Sequence, residues 1–336
     1  MGIITSTLLW VMQGTPEKIY AVEHIPGKGR GVVALTDITK GTRVMSEKPI
    51  ITISQNITSI QQLGTCILDQ VSSLSKYDRQ EFFSMANVYG GINPLEMWYG
   101  ILRTNALPMG PNLDTGGIFL QACRINHACD GNAVHCWNEN LNQLTIHAIR
   151  DIRKGEEITI SYLATLRNRQ ARQDELLHNF RFLCACQLCC LPLGESKCND
   201  AALDRIHAID DIIEKRGIKG LVKPAQKMLS YVDEQVRIWK KTTIAEGGLT
   251  RAYPDAFQIA VANGDLARAR VFAERCLRLY ETSLGNDSPD VAEYGAFVVN
   301  PATHKYYGMS TKWATTVDEI PYSLDTQSFE DWLWRR

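Results

Sequence analysis

The sequence predicts an α+β fold in two parts: a β-rich N-terminal half that carries a helical insertion, and a helical C-terminal half. Three observations predict it. Residues 21–53 are rich in strand formers and broken by Gly27, Gly29, Gly31 and Gly41, the pattern of short strands joined by tight turns. In Leu144 to Ile149 and Glu157 to Tyr162 the apolar residues alternate (Leu144, Ile146, Ala148; Ile158, Ile160, Tyr162), as half-buried strands require, with a turn between Asp151 and Gly155. Beyond Asp200 the apolar spacing becomes helical and remains so almost to the C terminus.

The remaining elements follow in order. Between Gln61 and Leu107, Leu63, Ile67, Leu68, Val71 and Leu74 recur at helical spacing, as do Phe82, Phe83 and Ala86, so helices are expected there. Strand character returns at Gly117 to Phe119. After Pro192 and Gly194, the polar stretch Glu195 to Asp200 reads as a break and sets the domain boundary. The clearest helix runs from Leu266 to about Tyr280, with Ala269, Phe272, Ala273, Cys276 and Tyr280 on one face. It follows a second helix, Asp255 to Ala262, across a turn at Gly264, as one hairpin of tetratricopeptide type without a second copy at a fixed period.

With 336 residues the chain can bury a full core without staples. Its 36 basic and 37 acidic side chains leave a formal charge of -1, so the net basic face through which proteins grip nucleic acid is not expected. The apolar run Ile3 to Met12 is too short for a membrane span and lacks the flanks of a secretion signal, so a packed terminal segment (1–18) and an intracellular protein, nuclear or cytoplasmic, are expected. In a reducing compartment, clustered thiols hold metal more often than they form disulfides. Ten cysteines are present, and Cys184, Cys186 and Cys189 stand close enough to need only one more soft ligand for a tetrahedral zinc ion.

Three further motifs carry chemistry. The first is Gly27-Lys28-Gly29-Arg30-Gly31, followed by Asp37-Ile38, Gly41 and Glu47. Glycines let a backbone approach a ligand closely, but alone this cluster reads more readily as a hairpin turn, and no helix follows it to make a phosphate site. The second is Arg124-Ile125-Asn126-His127-Ala128-Cys129-Asp130-Gly131-Asn132, and the third is Gly155-Glu156-Glu157-Ile158 leading to Tyr162.

In this order, and followed by Phe180-Arg181-Phe182-Leu183-Cys184-Ala185-Cys186-Gln187-Leu188-Cys189, the motifs resemble the SET domain of protein lysine methyltransferases and its post-SET segment. The resemblance covers Ile19 to about Cys190 and is closest to SET proteins with a split core and a C-terminal helical domain. The SET and MYND group is the best-known branch, but Cys66 is the only cysteine between Pro49 and Leu107, so the MYND zinc module is absent and the chain looks like the fungal SET-only relatives. The resemblance implies small sheets with a pseudoknot (19–165, helical insertion about 60–107), a post-SET zinc segment (166–194) and a tetratricopeptide-like helical domain (200–336).

It also implies S-adenosylmethionine (SAM) as cofactor, contacted by Lys28, Gly29 and Arg30, gripped by Asn105, Asn126 and His127, and stacked on by Phe182. Tyr162 is the implied catalytic residue, in a substrate channel with Phe180. Cys129 is the implied fourth zinc ligand beside Cys184, Cys186 and Cys189, with Cys190 and Cys198 as neighbouring competitors. This chain departs from the pattern at Cys123 and Ala128, where serines are usual, at Gly131 in place of proline, at Phe180 in place of a second tyrosine, and at Arg181 in place of a small glycine. The implied activity is methyl transfer to a protein lysine, histone or non-histone. Fold alone never dictates chemistry, so two alternatives stand: a methyltransferase or cyclase acting on a small molecule, and a silent interaction module. The C-terminal aromatics Tyr306, Tyr307, Trp313, Phe329, Trp332 and Trp334 are expected to pack the core or to wall such a pocket.

Overall fold

A computed structural model of the protein describes residues 18–54, 60–110, 115–242 and 245–336; the apolar run Ile3 to Met12 lies outside them. Strands β1 (Tyr20–Ile25) and β2 (Gly29–Ala34) form the expected glycine-turned hairpin, with Ile25 opposite Gly29. β3 (Arg43–Glu47) and β4 (Ile51–Ser54) lead to helices α1 (Ile60–Ser73), α2 (Lys76–Phe83) and α3 (Pro94–Asn105). Short strands β5 (Leu107–Pro108) and β6 (Thr115–Ile118) return the chain to the sheets, and β7 (Asn126–His127), β8 (Ala133–Asn138), β9 (Gln143–Ala148) and β10 (Glu157–Ile160) complete them. Their orders are β1-β2-β10-β7, β3-β9-β8 and β4-β6-β5.

The insertion packs through the positions that helical spacing selected: Ile67, Val71 and Phe82 are buried with Ile51 and Ile118, while Leu68 and Phe83 face outward. α2 and α3 start where a side-chain oxygen meets an unpaired backbone N–H, Ser75 capping Asp78 and Asn93 capping Glu96 ahead of Pro94. The central strands bury Val32, Leu144, Ile146, Ile158 and Ile160 together with Ile125, which precedes β7.

The chain crosses itself within the first sheet. β10 pairs antiparallel with β2 on one side and parallel with β7 on the other, Thr159 opposite Asn126 and Ile160 opposite His127. Asn132 holds the crossing from inside the protein. Its Oδ1 accepts the Thr159 N–H at 2.8 Å, and its Nδ2 donates to the Glu157 carbonyl at 2.9 Å and to Glu156 Oε1 at 3.0 Å. A Cβ at Gly131 would stand 2.8 Å from the Thr159 carbonyl oxygen and 3.0 Å from Ile160 Cα, so the approach of these two segments needs a glycine where the family commonly has proline.

After β10 comes α4 (Arg169–Phe180), and the C-terminal half comprises α5 (Leu193–Gly220, interrupted at Gly217), α6 (Ala225–Lys241), α7 (Ala245–Ala262), α8 (Leu266–Leu284), α9 (Pro289–Val299) and α10 (Thr326–Leu333). Here the polar break expected at Glu195 to Asp200 is corrected: these residues form the first turns of α5. Their polarity reflects a solvent-facing helix surface, and Pro192, which accepts the Ser196 N–H at 2.9 Å, opens the helix earlier. α7 and α8 form the expected hairpin about Gly264. Trp313, Phe329 and Trp332 pack against the helical core, and Trp334 is buried edge-on against Phe272, so these aromatics cap the core.

A bidentate pair joins the two halves: the Arg43 guanidinium on β3 donates to both carboxylate oxygens of Asp287 between α8 and α9. Asn138 and Asn140 donate to the same residue at 2.9 and 2.8 Å, and Arg43 Nε donates to His147 Nε2 at 3.1 Å. Burial, then the adjacent Arg43 charge, push His147 down to about 4 against an opposing pull from Asp287. Because the folded value lies below the unfolded one, His147 contributes stability in full above about pH 6.5 and loses it as pH falls towards 4.

Two outcomes are expected. Urea denaturation of Asn132→Ala should show a loss of about 2–4 kcal/mol, since the substitution orphans the buried Thr159 N–H and Glu157 carbonyl; a loss under about 0.5 kcal/mol would mean that the crossing is held elsewhere. Between pH 7 and 4.5, the wild type should lose about 1–3 kcal/mol more than His147→Gln does. Parallel pH curves would contradict the assignment to His147.

Candidate active site and cysteine cluster

The crossing sets the site. Parallel pairing of β7 with β10 places His127 beside the end of β10, and the Tyr162 N–H donates to His127 Nδ1 at 2.9 Å. That bond puts the imidazole proton on Nε2, which faces Cys129 Sγ at 3.3 Å. Burial is the main cause that pushes His127 down to about 4, so it is a neutral ring with both nitrogens engaged. Its ring centroid lies 5.2 Å from Tyr162 and 6.0 Å from Phe182, while Tyr162 lies 5.0 Å from Phe180. His127, Tyr162, Phe180 and Phe182 thus form one aromatic cluster, although Phe180 and Phe182 reach it from the end of α4.

The Tyr162 hydroxyl donates to the Ile125 carbonyl at 2.7 Å. Burial, with smaller contributions from Cys123 and Glu157, raises its pKa well above the ordinary phenol value, so it is a neutral hydroxyl whose oxygen lone pairs can accept a proton donor. Tyr162 lines a cleft of about 1170 Å³ between the two halves of the protein. Leu107, Ile125 and Phe180 come from the first half, Trp239 from α6, and Asp210 and Arg251 from α5 and α7. The cleft is therefore walled by the C-terminal helices, but by Trp239 rather than by the terminal aromatics.

Cys123 lies in the same cleft where a serine is usual. Its Sγ accepts from the Phe119 N–H at 3.2 Å and donates to the Asn105 carbonyl at 3.1 Å, so the thiol makes the two bonds that a hydroxyl would make. Burial pushes it up to about 12, which leaves it an inert thiol.

The first motif lies across β10 from this cleft. Lys28 Nζ pairs with Glu157 Oε2 at 2.6 Å, and Asn126 Nδ2 donates to Glu157 Oε1 at 2.8 Å. A Cβ at Gly31 would come within 2.7 Å of Asn126 Nδ2 and 3.0 Å of Glu157 Oε1, so this glycine lets the hairpin close on those groups. The polar edge of Lys28, Asn126 and Glu157, with His127 against Phe182, has the donors, carboxylate and aromatic face that a ligand with an amino-acid part and a flat base requires. Two predicted contacts are placed otherwise. The Arg30 guanidinium is turned onto the insertion, bonded to Glu81 at 2.8 Å and Ser84 at 3.3 Å. Asn105 lines the cleft, and both its amide hydrogens go to the insertion, to the Ala86 and Ile101 carbonyls at 2.7 and 2.6 Å.

Sequence reasoning assigned no role to Glu157 or Glu47. Glu157 stands in the third motif, the one signal that marks it. The Glu47 carboxylate accepts the N–H groups of Gln121 and Ala122, fastening the first motif to the turn that precedes the second.

The predicted cysteine set converges. The sulfurs of Cys129, Cys184, Cys186 and Cys189 lie within 4.8 Å of one another. Cys129 is 3.6 Å from Cys189 and 3.9 Å from Cys184. A tetrahedron with zinc–sulfur bonds of about 2.3 Å has sulfur–sulfur edges of about 3.8 Å, so the spacing suits a zinc ion and excludes a disulfide, whose sulfurs bond at about 2.05 Å. Cys190 and Cys198 are exposed and stand outside the set. Gln173 on α4 clamps the Cys184 peptide at both ends, accepting its N–H at 2.9 Å and donating to its carbonyl at 2.7 Å. Arg181, in the left-handed region at φ 61°, ends α4 beside Tyr89, whose hydroxyl donates to the Asn179 carbonyl at 2.7 Å and whose ring carries Arg103 at 4.0 Å. The insertion and the post-SET segment are thereby tied together.

Comparison with known proteins agrees with this reading. Residues 29–163 match the SET domain family model. The chain is 29% identical over 325 residues to the histone-lysine N-methyltransferase set5 of Schizosaccharomyces pombe, covering 94% of each chain. An 82-residue stretch, 23% of this chain and 19% of the other, is 42% identical to the human protein-lysine N-trimethyltransferase SMYD5. Among solved structures, Rubisco LSMT bound to AdoMet aligns over 95% of this chain and 96% of its own at 12% identity, with a TM-score of only 0.36. The match over residues 29–163, the pseudoknot within them and the cysteine cluster that follows identify a SET domain in the N-terminal half of this chain.

Proposed function

We propose that the protein transfers methyl groups from SAM to lysine side chains of a protein substrate, with Cys129, Cys184, Cys186 and Cys189 holding a structural zinc ion. The observation that carries this reading is the position of Tyr162, a neutral hydroxyl at the knot where the cleft meets the His127 and Phe182 edge. The fission-yeast relative, named a histone-lysine N-methyltransferase, matches along almost its whole length, which supports the same chemistry and makes histones the first substrates to test.

SAM supplies a methyl group on a sulfonium. Lys28, Asn126 and Glu157 would exchange their mutual bonds for polar contacts with its amino-acid and ribose parts, and Phe182 would cover its base. Gly29 and Gly31 would let the hairpin backbone approach it, Arg30 would serve through its backbone rather than its guanidinium, and Asn105, with both amide hydrogens committed, would have only its side-chain oxygen to offer. Tyr162 has its proton committed to the Ile125 carbonyl, so its oxygen accepts an N–H from the incoming amine and aims the nitrogen lone pair. Burial among Phe180, Leu107 and Ile125 penalises an ammonium and favours the uncharged nucleophile. Positioning and exclusion of water then carry most of the rate enhancement.

Labelled SAM incubated with core histones and with a whole-proteome extract should label lysine. Tyr162→Phe should lower kcat by about 100-fold or more while leaving the Kd for SAM within about threefold. Binding of SAM without labelling of any protein would overturn the substrate class and move the search to small molecules that fit the cleft. Elemental analysis should find about one zinc per chain, lost in Cys189→Ser and retained in Cys190→Ser and Cys198→Ser. Zinc loss in either of the latter would overturn the ligand set.

A further inference from the structure

Four thiolates around one zinc ion carry two net negative charges. Here that charge is buried: Cys129, Cys184 and Cys189 are 4%, 7% and 0% exposed. An uncompensated charge in such surroundings costs several kcal/mol, so the cluster needs donors and, best of all, a cation. Two donors have been described or are close by: the His127 Nε2 proton at Cys129, and the Cys186 N–H, 3.5 Å from Cys184 Sγ.

The cation is Arg172 on α4. It is 1% exposed, among the most deeply buried large side chains of the protein, and its Nη2 lies 3.8 Å from Cys189 Sγ. Its Nη1 donates to the Arg167 carbonyl and lies 4.0 Å from Asp200 Oδ1 in the first turns of α5. Nε has no hydrogen-bond partner among the described residues. A fully buried guanidinium with one unsatisfied N–H is costly, and apolar packing gives no return on it. A thiolate cluster at its tip does.

We infer that Arg172 is a positioning residue of the metal centre: its guanidinium offsets the charge of the zinc thiolates and orients Cys189, while Arg167 and Asp200 fasten it to the segment after Tyr162 and to the first helix of the C-terminal half. The inference rests on the zinc reading above. It also gives the centre a reach beyond the post-SET loop. The Asp200 carboxylate caps the Arg169 N–H at 2.7 Å, and Asn168 bonds Asp204 at 2.8 Å, so the start of α4, the cluster and α5 form one connected unit.

The test measures zinc release from the full-length protein into a chromophoric chelator. Arg172→Met should release zinc about 10–100-fold faster than wild type, the range in which loss of a supporting contact weakens a metal site. Arg172→Lys, which keeps the charge, should stay within a few-fold of wild type. Phe272→Leu, which opens a cavity in the helical core on α8, outside the unit of α4, the cluster and α5, should lower the unfolding temperature without changing release. Wild-type release rates in Arg172→Met, or equal acceleration in Phe272→Leu, would overturn the inference. Should the Met variant fail to fold, Arg172→Gln compared with Arg172→Lys decides the same question, and equal rates would overturn it. Wild-type protein that contains no zinc and takes none up would overturn the metal reading itself, a result separable from all of these.

Discussion

The parallel pairing of β7 with β10 is the constraint on which the rest of the structure depends. Two strands of two and four residues have little stability of their own, and a parallel register cannot be closed by a tight turn. Asn132 supplies what the pairing lacks, satisfying the Thr159 N–H and the Glu157 carbonyl from inside the loop that the crossing encloses. Once that register is set, His127 must face Cys129 and receive the Tyr162 N–H. The placements of Tyr162 beside His127, of Asn126 beside Glu157 and of Cys129 within the cysteine cluster are then three consequences of one alignment.

Chemistry is divided between the two faces of this knot. On one side Lys28, Asn126 and Glu157 form a polar edge whose groups bond to one another. On the other, Tyr162, Phe180, Leu107 and Trp239 line a cleft that the C-terminal helices help to enclose. A methyl donor that carries charge suits the first, and an amine that must lose its proton suits the second. The Arg43–Asp287 pair, with Asn138 and Asn140 around it, helps to hold the two halves of the chain in the arrangement that makes the cleft.

Departures from the family pattern find local reasons in the packing. Gly131 stands where a Cβ would strike the Thr159 carbonyl, and Cys123 keeps both bonds of the serine it replaces. Arg181 accepts the left-handed backbone that usually calls for glycine, at a cost of about 1 kcal/mol, in a corner where the Tyr89 hydroxyl and its stacked Arg103 clamp the end of α4. Phe180 has no polar handle, which leaves Tyr162 as the hydroxyl of this aromatic cluster.

Cys129 was implied only by the family resemblance; the sequence by itself determined the α+β class, the glycine-turned hairpin, the alternating strands β9 and β10, the α7–α8 hairpin and the triplet Cys184, Cys186 and Cys189. Each is written in local spacing, which periodicity, turn chemistry and metal-ligand geometry make readable. It misread Glu195 to Asp200, because an exposed helical turn and a loop share the same polarity, and it passed over β8, whose Ala-Val-His-Cys-Trp-Asn has no clean alternation. Only the tertiary structure decided that Glu157 meets Lys28 across 129 residues, that Arg30 turns to Glu81, and that Arg172 reaches Cys189. These are contacts between elements distant in the chain. Their energy comes from which surfaces the knot and the helical half bring together, and no local pattern encodes that.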